Sequence, residues 1–349
     1  MHNLPETKKV LVLEESGRLL VARKPLTAPP PSSVIVRIEA VGICGSDVHG
    51  AAGDTGRRSS GQVMGHEAAG TIVAVGRDVS ESAIGSRVAI FPVVSCGVCE
   101  YCLDGREQLC VEMWTLGVRP DVDGAFADFV EVPLRATYEL PDGMPTWHGA
   151  LVEPLAVGFE AVSQGLHDEV TQALVIGGGP IGLACALAAA FYSIPQVALL
   201  ELNAERRASL QGLGIAQLAS TVDELSDLRP SLVVDAVGNS ASMATALRAV
   251  RPGGTVVLVG MAEPSLTIDA YQVSTGERTI IGSICYSRTQ FQTACTWLSG
   301  NPGIAPRLVE QMVTMDEGPA AFAALGSGTM PSSKILILPN GAFETAGQS

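Results

Sequence analysis

The chain runs from a continuous apolar strand, Ala173-Leu174-Val175-Ile176, straight into Gly177-Gly178-Gly179-Pro180-Ile181-Gly182 and then into a long Ala/Leu-rich helix. A glycine turn of this spacing between a strand and a helix constrains the fold more than any other feature of the sequence. Gly177 permits the tight turn, Gly179 lets a pyrophosphate approach the backbone, and Gly182 lets helix and strand pack closely. Pro180 and Ile181 open the helix, whose free N–H groups attract phosphate. Further apolar strands at 196–200, 232–235, 255–259 and 279–282 alternate with helical segments. The pattern predicts an α/β region with a doubly wound parallel sheet covered on both faces. Glu201 closes the second strand, about 20 residues beyond the turn, where a carboxylate accepts the ribose hydroxyls of NAD and repels the 2′-phosphate of NADP. Arg206, one helical turn further, can stack on the adenine; with Arg207 it leaves room for NADP. Val237, Gly238 and Val259, at the ends of the next two strands, complete the expected cofactor contacts.

Before residue 155 the texture differs. Short β-branched runs at 33–38, 70–76, 86–90 and 126–132 are broken by glycine, and several alternate with period two. They predict an irregular β domain rich in loops, with Pro25–Pro31 as a surface crossing between strands. A helix is expected over 151–164, and beyond about 295 a helix, a loop and a last strand at 334–338. With 349 residues, two domains are the natural reading.

Charge narrows the partners. The net charge of −14 repels phosphate backbones and anionic lipid, and aromatics at 5% leave few stacking platforms, so nucleic acid is not expected. Mean hydropathy is high at +0.30, yet the longest apolar stretch, Ile181 to Tyr192, falls short of the ~20 residues a membrane span needs. The N-terminus shows no basic-then-apolar leader pattern, so a cytoplasmic protein is expected.

Eight cysteines could suggest disulfides, but four crowd into one short stretch, Cys96-x2-Cys99-x2-Cys102-x7-Cys110. In a chain long enough to build real cores this spacing points to a reducing compartment and a closed, structural Zn²⁺ site of four thiolates. A second, scattered set offers Cys44, Ser46 and His49 in one segment, His66 and Glu67 in another, and Glu153 in a third. A catalytic zinc needs about three protein ligands and an open position, and spacing alone does not show that these segments converge. His2, His148 and His167 have no such context, and Cys185, Cys285 and Cys295 are expected in the core.

Taken in order, Gly42-Ile43-Cys44-Gly45-Ser46-Asp47, Gly65-His66-Glu67, the four-cysteine lobe, Glu153-Pro154-Leu155-Ala156-Val157-Gly158, the glycine turn and Lys334-Ile335-Leu336-Ile337 resemble the zinc-dependent medium-chain dehydrogenases over nearly the whole chain. The Glu153 segment is similar to that of the sorbitol/threonine/galactitol dehydrogenase branch. The resemblance implies a GroES-like β-rich catalytic domain over 1–156 and 295–349, with a structural zinc lobe at about 92–112, and a Rossmann NAD-binding domain over 157–294, with substrate bound in the cleft under the nicotinamide. It implies two zinc ions per chain. Cys44, His66 and either Glu67 or Glu153 hold the catalytic one, and Cys96, Cys99, Cys102 and Cys110 the structural one. It also implies a proton relay through Ser46 and His49, and a homo-oligomer, tetrameric or dimeric.

The implied reaction transfers a hydride between NAD(H) and a secondary alcohol of a polyol, sugar alcohol or sugar acid. Other readings are an L-threonine 3-dehydrogenase or general secondary-alcohol dehydrogenase, an NADP-dependent enzyme, and a catalytically silent NAD- and zinc-binding protein. Polyol members of the branch carry an Arg-Tyr pair where this chain has Cys285-Tyr286. Trp114 is read either as a pocket wall or as core, and Arg119 either as a carboxylate contact or as a solvated side chain.

Overall fold

The computed structural model describes residues 4–53, 56–213, 217–327 and 334–341. Its organising strand is Ser33–Gly42, whose Val34, Ile35, Val36 and Ile38 are all fully buried. Buried on both faces, this strand carries an apolar run rather than an alternation. It lies within a seven-stranded sheet of order Val309–Thr314, Lys334–Leu338, Ser33–Gly42, Glu67–Val75, Arg87–Ile90 and Thr137–Glu139, with Phe129–Pro133 also paired to it. Only the pair Val309–Thr314 with Lys334–Leu338 is parallel. A hairpin, Thr7–Leu13 with Leu19–Pro25, precedes the sheet, and the proline-rich stretch crosses from it into Ser33–Gly42.

Four expectations shift in this part. The strand foreseen from 126 begins at Phe129, because Ala125 and Phe126 instead bond to Gly65 and Met64 and sit fully buried in the core. The strand foreseen from 70 begins three residues earlier, at Glu67. Leu151 belongs to a 3-10 turn, Thr146–Leu151, and the helix proper is Val152–Gln164. Beyond 295 the sequence reading lacked an edge strand, Val309–Thr314, and a helix, Gly318–Gly326, and the helix there starts at Arg288. An edge strand with mostly exposed side chains has no strong apolar periodicity to reveal it.

The second sheet is built from β1 (Gln172–Ile176), β2 (Gln196–Leu200), β3 (Gln217–Ala219), β4 (Leu232–Asp235), β5 (Thr255–Leu258) and β6 (Thr279–Gly282). All neighbours are parallel, in the order β3-β2-β1-β4-β5-β6. That is the doubly wound dinucleotide-binding order. Helix α1 (Pro180–Phe191) follows the glycine turn, and α2 (Ala204–Ser209) and α3 (Ser240–Ala249) follow β2 and β4. By packing, the described residues divide into those of 4–153 with 295–327 and 334–341, and those of 154–294. The first cut falls between Glu153 and Pro154, inside the helix Val152–Gln164, three residues before the 156/157 boundary expected from sequence.

Of the remaining cysteines, Cys185 and Cys295 are fully buried, and burial pushes both thiols up to about 12. Cys285 is not a core residue: it is half-buried with a left-handed backbone, φ 47°. His148 is buried with its Nδ1 unbonded among the described residues, and burial lowers its pKa to about 4. A histidine held neutral in the fold binds fewer protons there than in the unfolded chain. Its contribution is therefore complete above pH 6.5 and lost as pH falls towards 4. Wild-type stability should drop between those values, by about 1 kcal/mol at mildly acid pH, and His148→Phe should flatten that limb. Identical acid limbs in chemical denaturation would refute the assignment.

Candidate active site

Strand register assembles the first site. Glu67 opens its strand directly opposite Gly42, the last residue of the neighbouring antiparallel strand. Cys44, two residues past Gly42, therefore lies beside His66, and both lie beside Glu67. The Cys44 sulfur, a His66 nitrogen and a Glu67 oxygen come within 4.8 Å of one another. Lys334 arrives by the same logic: Leu336 pairs with Gly42, which sets Lys334 against Ile43 and Glu67. Its ammonium forms a buried ion pair with Glu67 Oε1. A Cβ on Gly42 would lie 2.2 Å from Glu67 Oε2, so only glycine leaves room for that carboxylate.

His66 is oriented from behind. Its Nδ1 is 3.6 Å from Asp47 Oδ2, and Asp47 is held at 3.1 Å by Arg58, both side chains being almost wholly buried. At 3.6 Å the Asp47 carboxylate stands behind Nδ1 beyond hydrogen-bond distance and acts on the ring through its charge. Burial opposes charge on the imidazole, but the Asp47 carboxylate, then Cys44 and Glu153, outweigh it and raise the His66 pKa well above its ordinary value. Glu153, 8% exposed, acts on the charges of both His66 and Lys334 while lying outside the trio. Ser46, exposed on the short helix Gly45–Ala51, donates to Cys44 Sγ at 3.3 Å, and His49 is exposed on the same helix. Asp47, Arg58 and Lys334 were not singled out from sequence; Asp47 and Lys334 stood inside quoted motifs, and Arg58 left no signal.

A divalent metal fits this donor set. Three buried carboxylates, Asp47, Glu67 and Glu153, and one thiol face two buried cations, Arg58 and Lys334. A dication with a thiolate and neutral imidazole brings the group to neutrality, and buried charge is tolerated only when so balanced. Glu67 Oε2 is buried without a hydrogen bond, the kind of orphan a metal satisfies.

The cysteine lobe forms a second donor set. The sulfurs of Cys96, Cys99, Cys102 and Cys110 lie within 4.8 Å of one another, and the amides of Gly97 and Cys99 point at Cys102 and Cys96 sulfurs, both at 3.3 Å. The Ser95 side chain and the Gly97 amide lower the Cys102 thiol to about 6. The Cys102 amide favours the Cys99 thiolate, but burial and the neighbouring thiols win and push it up to about 11. Such unequal thiols are what four close sulfurs do without a cation, and a dication lets all four ionise. Val98, Leu103 and Val111 are 76–86% exposed, so the lobe has almost no apolar core of its own.

In the parallel-sheet unit the glycine turn leaves its helix uncapped. Gly177 has φ +94°, a Cβ on Gly182 would strike the Gly177 carbonyl at 1.8 Å, and Gly179 faces open space. With no side-chain cap on α1, its first amides remain for a phosphate. Glu201 is buried and accepts from the Gly178 and Asn203 amides, both at 2.7 Å. Arg206 approaches Glu201 at 3.3 Å and Arg207 caps the Glu201 carbonyl at 2.7 Å. Val237 and Gly238 stand just past the carboxyl end of β4, where both amides donate to the buried Asp235, at 2.9 and 3.0 Å. Val259 sits just past β5, which ends at Leu258, and donates to the Asp235 carbonyl. Asp235 thus organises this edge, a role sequence did not suggest.

Two family models cover this architecture. Residues 30–142 match the alcohol dehydrogenase GroES-like domain and residues 180–300 match the zinc-binding dehydrogenase. Sorbitol dehydrogenase of Mus musculus is 31% identical over 345 residues, 95% of this chain and 96% of that protein. The chain belongs to the zinc-binding alcohol dehydrogenase family. L-idonate 5-dehydrogenase of Vitis vinifera is 36% identical over 277 residues, 74% of this chain and 75% of that protein. Among solved structures, an alcohol dehydrogenase from Escherichia coli CFT073 in complex with NADH superposes with a TM-score of 0.88 at 25% identity, covering 96% of this chain and 100% of that one. Members of this family are zinc-dependent oxidoreductases that act on CH–OH groups, and this chain is one of them. No helix among the described residues is long and apolar enough to cross a membrane.

Proposed function

We propose that this dehydrogenase oxidises a secondary alcohol of a neutral polyol to the ketone with NAD. The observation that carries the reading is the close Cys44–His66–Glu67 trio, its histidine and glutamate buried, backed by Asp47, Arg58 and Lys334. Cys44, His66 and a carboxylate, Glu67 or Glu153, would hold zinc, which would supply Lewis acidity at a substrate oxygen, and the glycine turn with Glu201 would hold NAD, which would supply the hydride acceptor. Ser46 takes the hydroxyl proton, and His49, three residues on and therefore on the same helical face, delivers it to solvent. Cys96, Cys99, Cys102 and Cys110 hold the second zinc. The residue sets 1–153 and 154–294 act as the catalytic and NAD-binding domains respectively.

Arg119 narrows the substrate class. Its guanidinium forks onto Asp121 at 2.6 and 2.7 Å and lies over half-buried Trp114, so its charge is satisfied within its own loop. With that charge satisfied, a neutral polyol suits the chain better than a sugar acid or threonine, while Cys285-Tyr286 in place of the Arg-Tyr pair of polyol members weighs against sorbitol itself. The sorbitol and L-idonate dehydrogenases above point the same way for the secondary alcohol. Edge strand β6 is paired only to β5 among the described residues, with Met261, Tyr271 and Ile284 exposed near it, and we assign it to a homo-oligomer contact. The eight cysteines are all free, which suits the cytoplasm.

The test is NADH formation, followed by ultraviolet absorbance, with polyols, sugar acids, threonine and simple secondary alcohols, on a sample whose zinc content and mass in solution are also measured. Turnover of polyols with two zinc ions per chain is expected. Preference for an acid, or one zinc and no turnover, would overturn the reading, and a monomeric mass would overturn the oligomer. For the cofactor, Glu201→Ala should raise the NADP-to-NAD ratio of kcat/KM by about 10- to 100-fold, since charged hydrogen bonds contribute ~1.5–3 kcal/mol. An unchanged ratio would remove Glu201 from cofactor choice.

A further inference from the structure

At the amino ends of the parallel strands, the opposite edge from the glycine turn, lies a cavity of about 320 Å³. Its apolar lining includes half-buried Val222, Leu228 and Ala249, with the core residues Leu174, Leu225 and Val250 contributing little exposed surface. Arg229, Arg248, Arg251 and Arg278 also line it, against one carboxylate, Asp223. In a chain with 36 acidic and 22 basic residues, four guanidinium groups around one cavity reverse the prevailing sign of charge.

These arginines are largely held in place. Arg278 donates from Nε to the Val250 carbonyl at 3.2 Å and from Nη1 to the Gln272 carbonyl at 2.5 Å. Arg229 donates to the carbonyls of Ser226 and Leu228. Arg251 ties its backbone amide to the Pro230 carbonyl at 3.0 Å, which joins the two sides of the cavity. Its Nε has no hydrogen bond among the described residues, its side chain is 41% exposed, and the ion pair to exposed Glu169 is long at 3.7 Å. A guanidinium so loosely paired keeps donors for an anionic oxygen. Arg248 adds an exposed cation on the last turn of α3. Pre-placed guanidinium groups are the usual recognition device for phosphate oxygens, and the apolar lining favours an apolar body beside them.

We propose that this cavity is a second ligand site, distinct from the NAD and zinc sites, that binds a small organic phosphate: a phosphomonoester with an apolar or aromatic body. The phosphate engages Arg251 with Arg229, Arg248 and Arg278, and the body lies on Val222, Leu228 and Ala249. The full-length zinc enzyme, saturated with NADH to block the glycine turn, is titrated calorimetrically with phenyl phosphate and separately with inorganic phosphate. Phenyl phosphate should bind, more tightly than inorganic phosphate, and more weakly as salt rises. Arg251→Gln should weaken it about tenfold, as expected for one charged hydrogen bond. Exposed Arg248→Gln, for which the described residues show no side-chain hydrogen bond or ion pair, should weaken it by a smaller factor with NADH binding unchanged. Absence of phenyl phosphate binding to the wild type, equal affinity for the two probes, or wild-type affinity in both variants would each overturn the proposal.

Discussion

Replacing Cys44 with alanine should lower kcat by about 10³-fold or more, because a Lewis acid in an oxidoreductase contributes several kcal/mol to the barrier. Cys44 is one of three close donors, and its thiol lies against both Ser46 and His66, so on the proposed mechanism its loss would remove a ligand and unseat the relay hydroxyl together. NADH binding should be retained, since Gly177, Gly182 and Glu201 are built on the other sheet. Steady-state turnover, NADH fluorescence titration and zinc content on the same sample separate these effects. Turnover within tenfold of wild type would refute metal-assisted catalysis at Cys44, while loss of NADH binding would mean that the variant had misfolded.

Cys102→Ser should be the most damaging change to stability, with loss of about one zinc per chain and a fall in Tm of roughly 10 °C. Structural zinc provides most of the folding free energy of a segment that lacks its own core, on the order of 10 kcal/mol in isolated zinc modules. Here the lobe exposes Val98, Leu103 and Val111 and has little beneath its four sulfurs to hold the loop. Chelation of the wild type should reproduce the fall, and the variant should show no further response in that step. An unchanged Tm together with an unchanged zinc count would remove the metal from the lobe.

Several features were legible because their determinants are neighbours in the chain. The four cysteines fall within one short loop, so their spacing already limits where the sulfurs can go. The glycine turn joins β1 to α1 directly, and Gly182 is required by a contact with Gly177 only a few residues away. Arg206 was read from position as able to stack on adenine, and Arg119 either as a carboxylate contact or as a solvated side chain. Each meets a local carboxylate, Glu201 and Asp121 respectively, and such pairing depends on side-chain direction that spacing does not carry.

By itself, then, the amino-acid sequence determined the parallel sheet, the dinucleotide turn and the thiol cluster, because each is specified by apolar periodicity or spacing over a few tens of residues. Only the tertiary structure decided which scattered groups share the candidate metal site. Antiparallel register sets Glu67 against Gly42 and so brings His66 to Cys44, and Leu336 against Gly42 brings Lys334 to a glutamate 267 residues away along the chain. Asp47 and Arg58 likewise find each other only once the short helix after Cys44 packs back over His66. A register shift of one residue would turn each of these side chains to the opposite face of the sheet. The physical reason is that buried charges must be balanced by whatever the fold brings near, and that balance exists only in three dimensions.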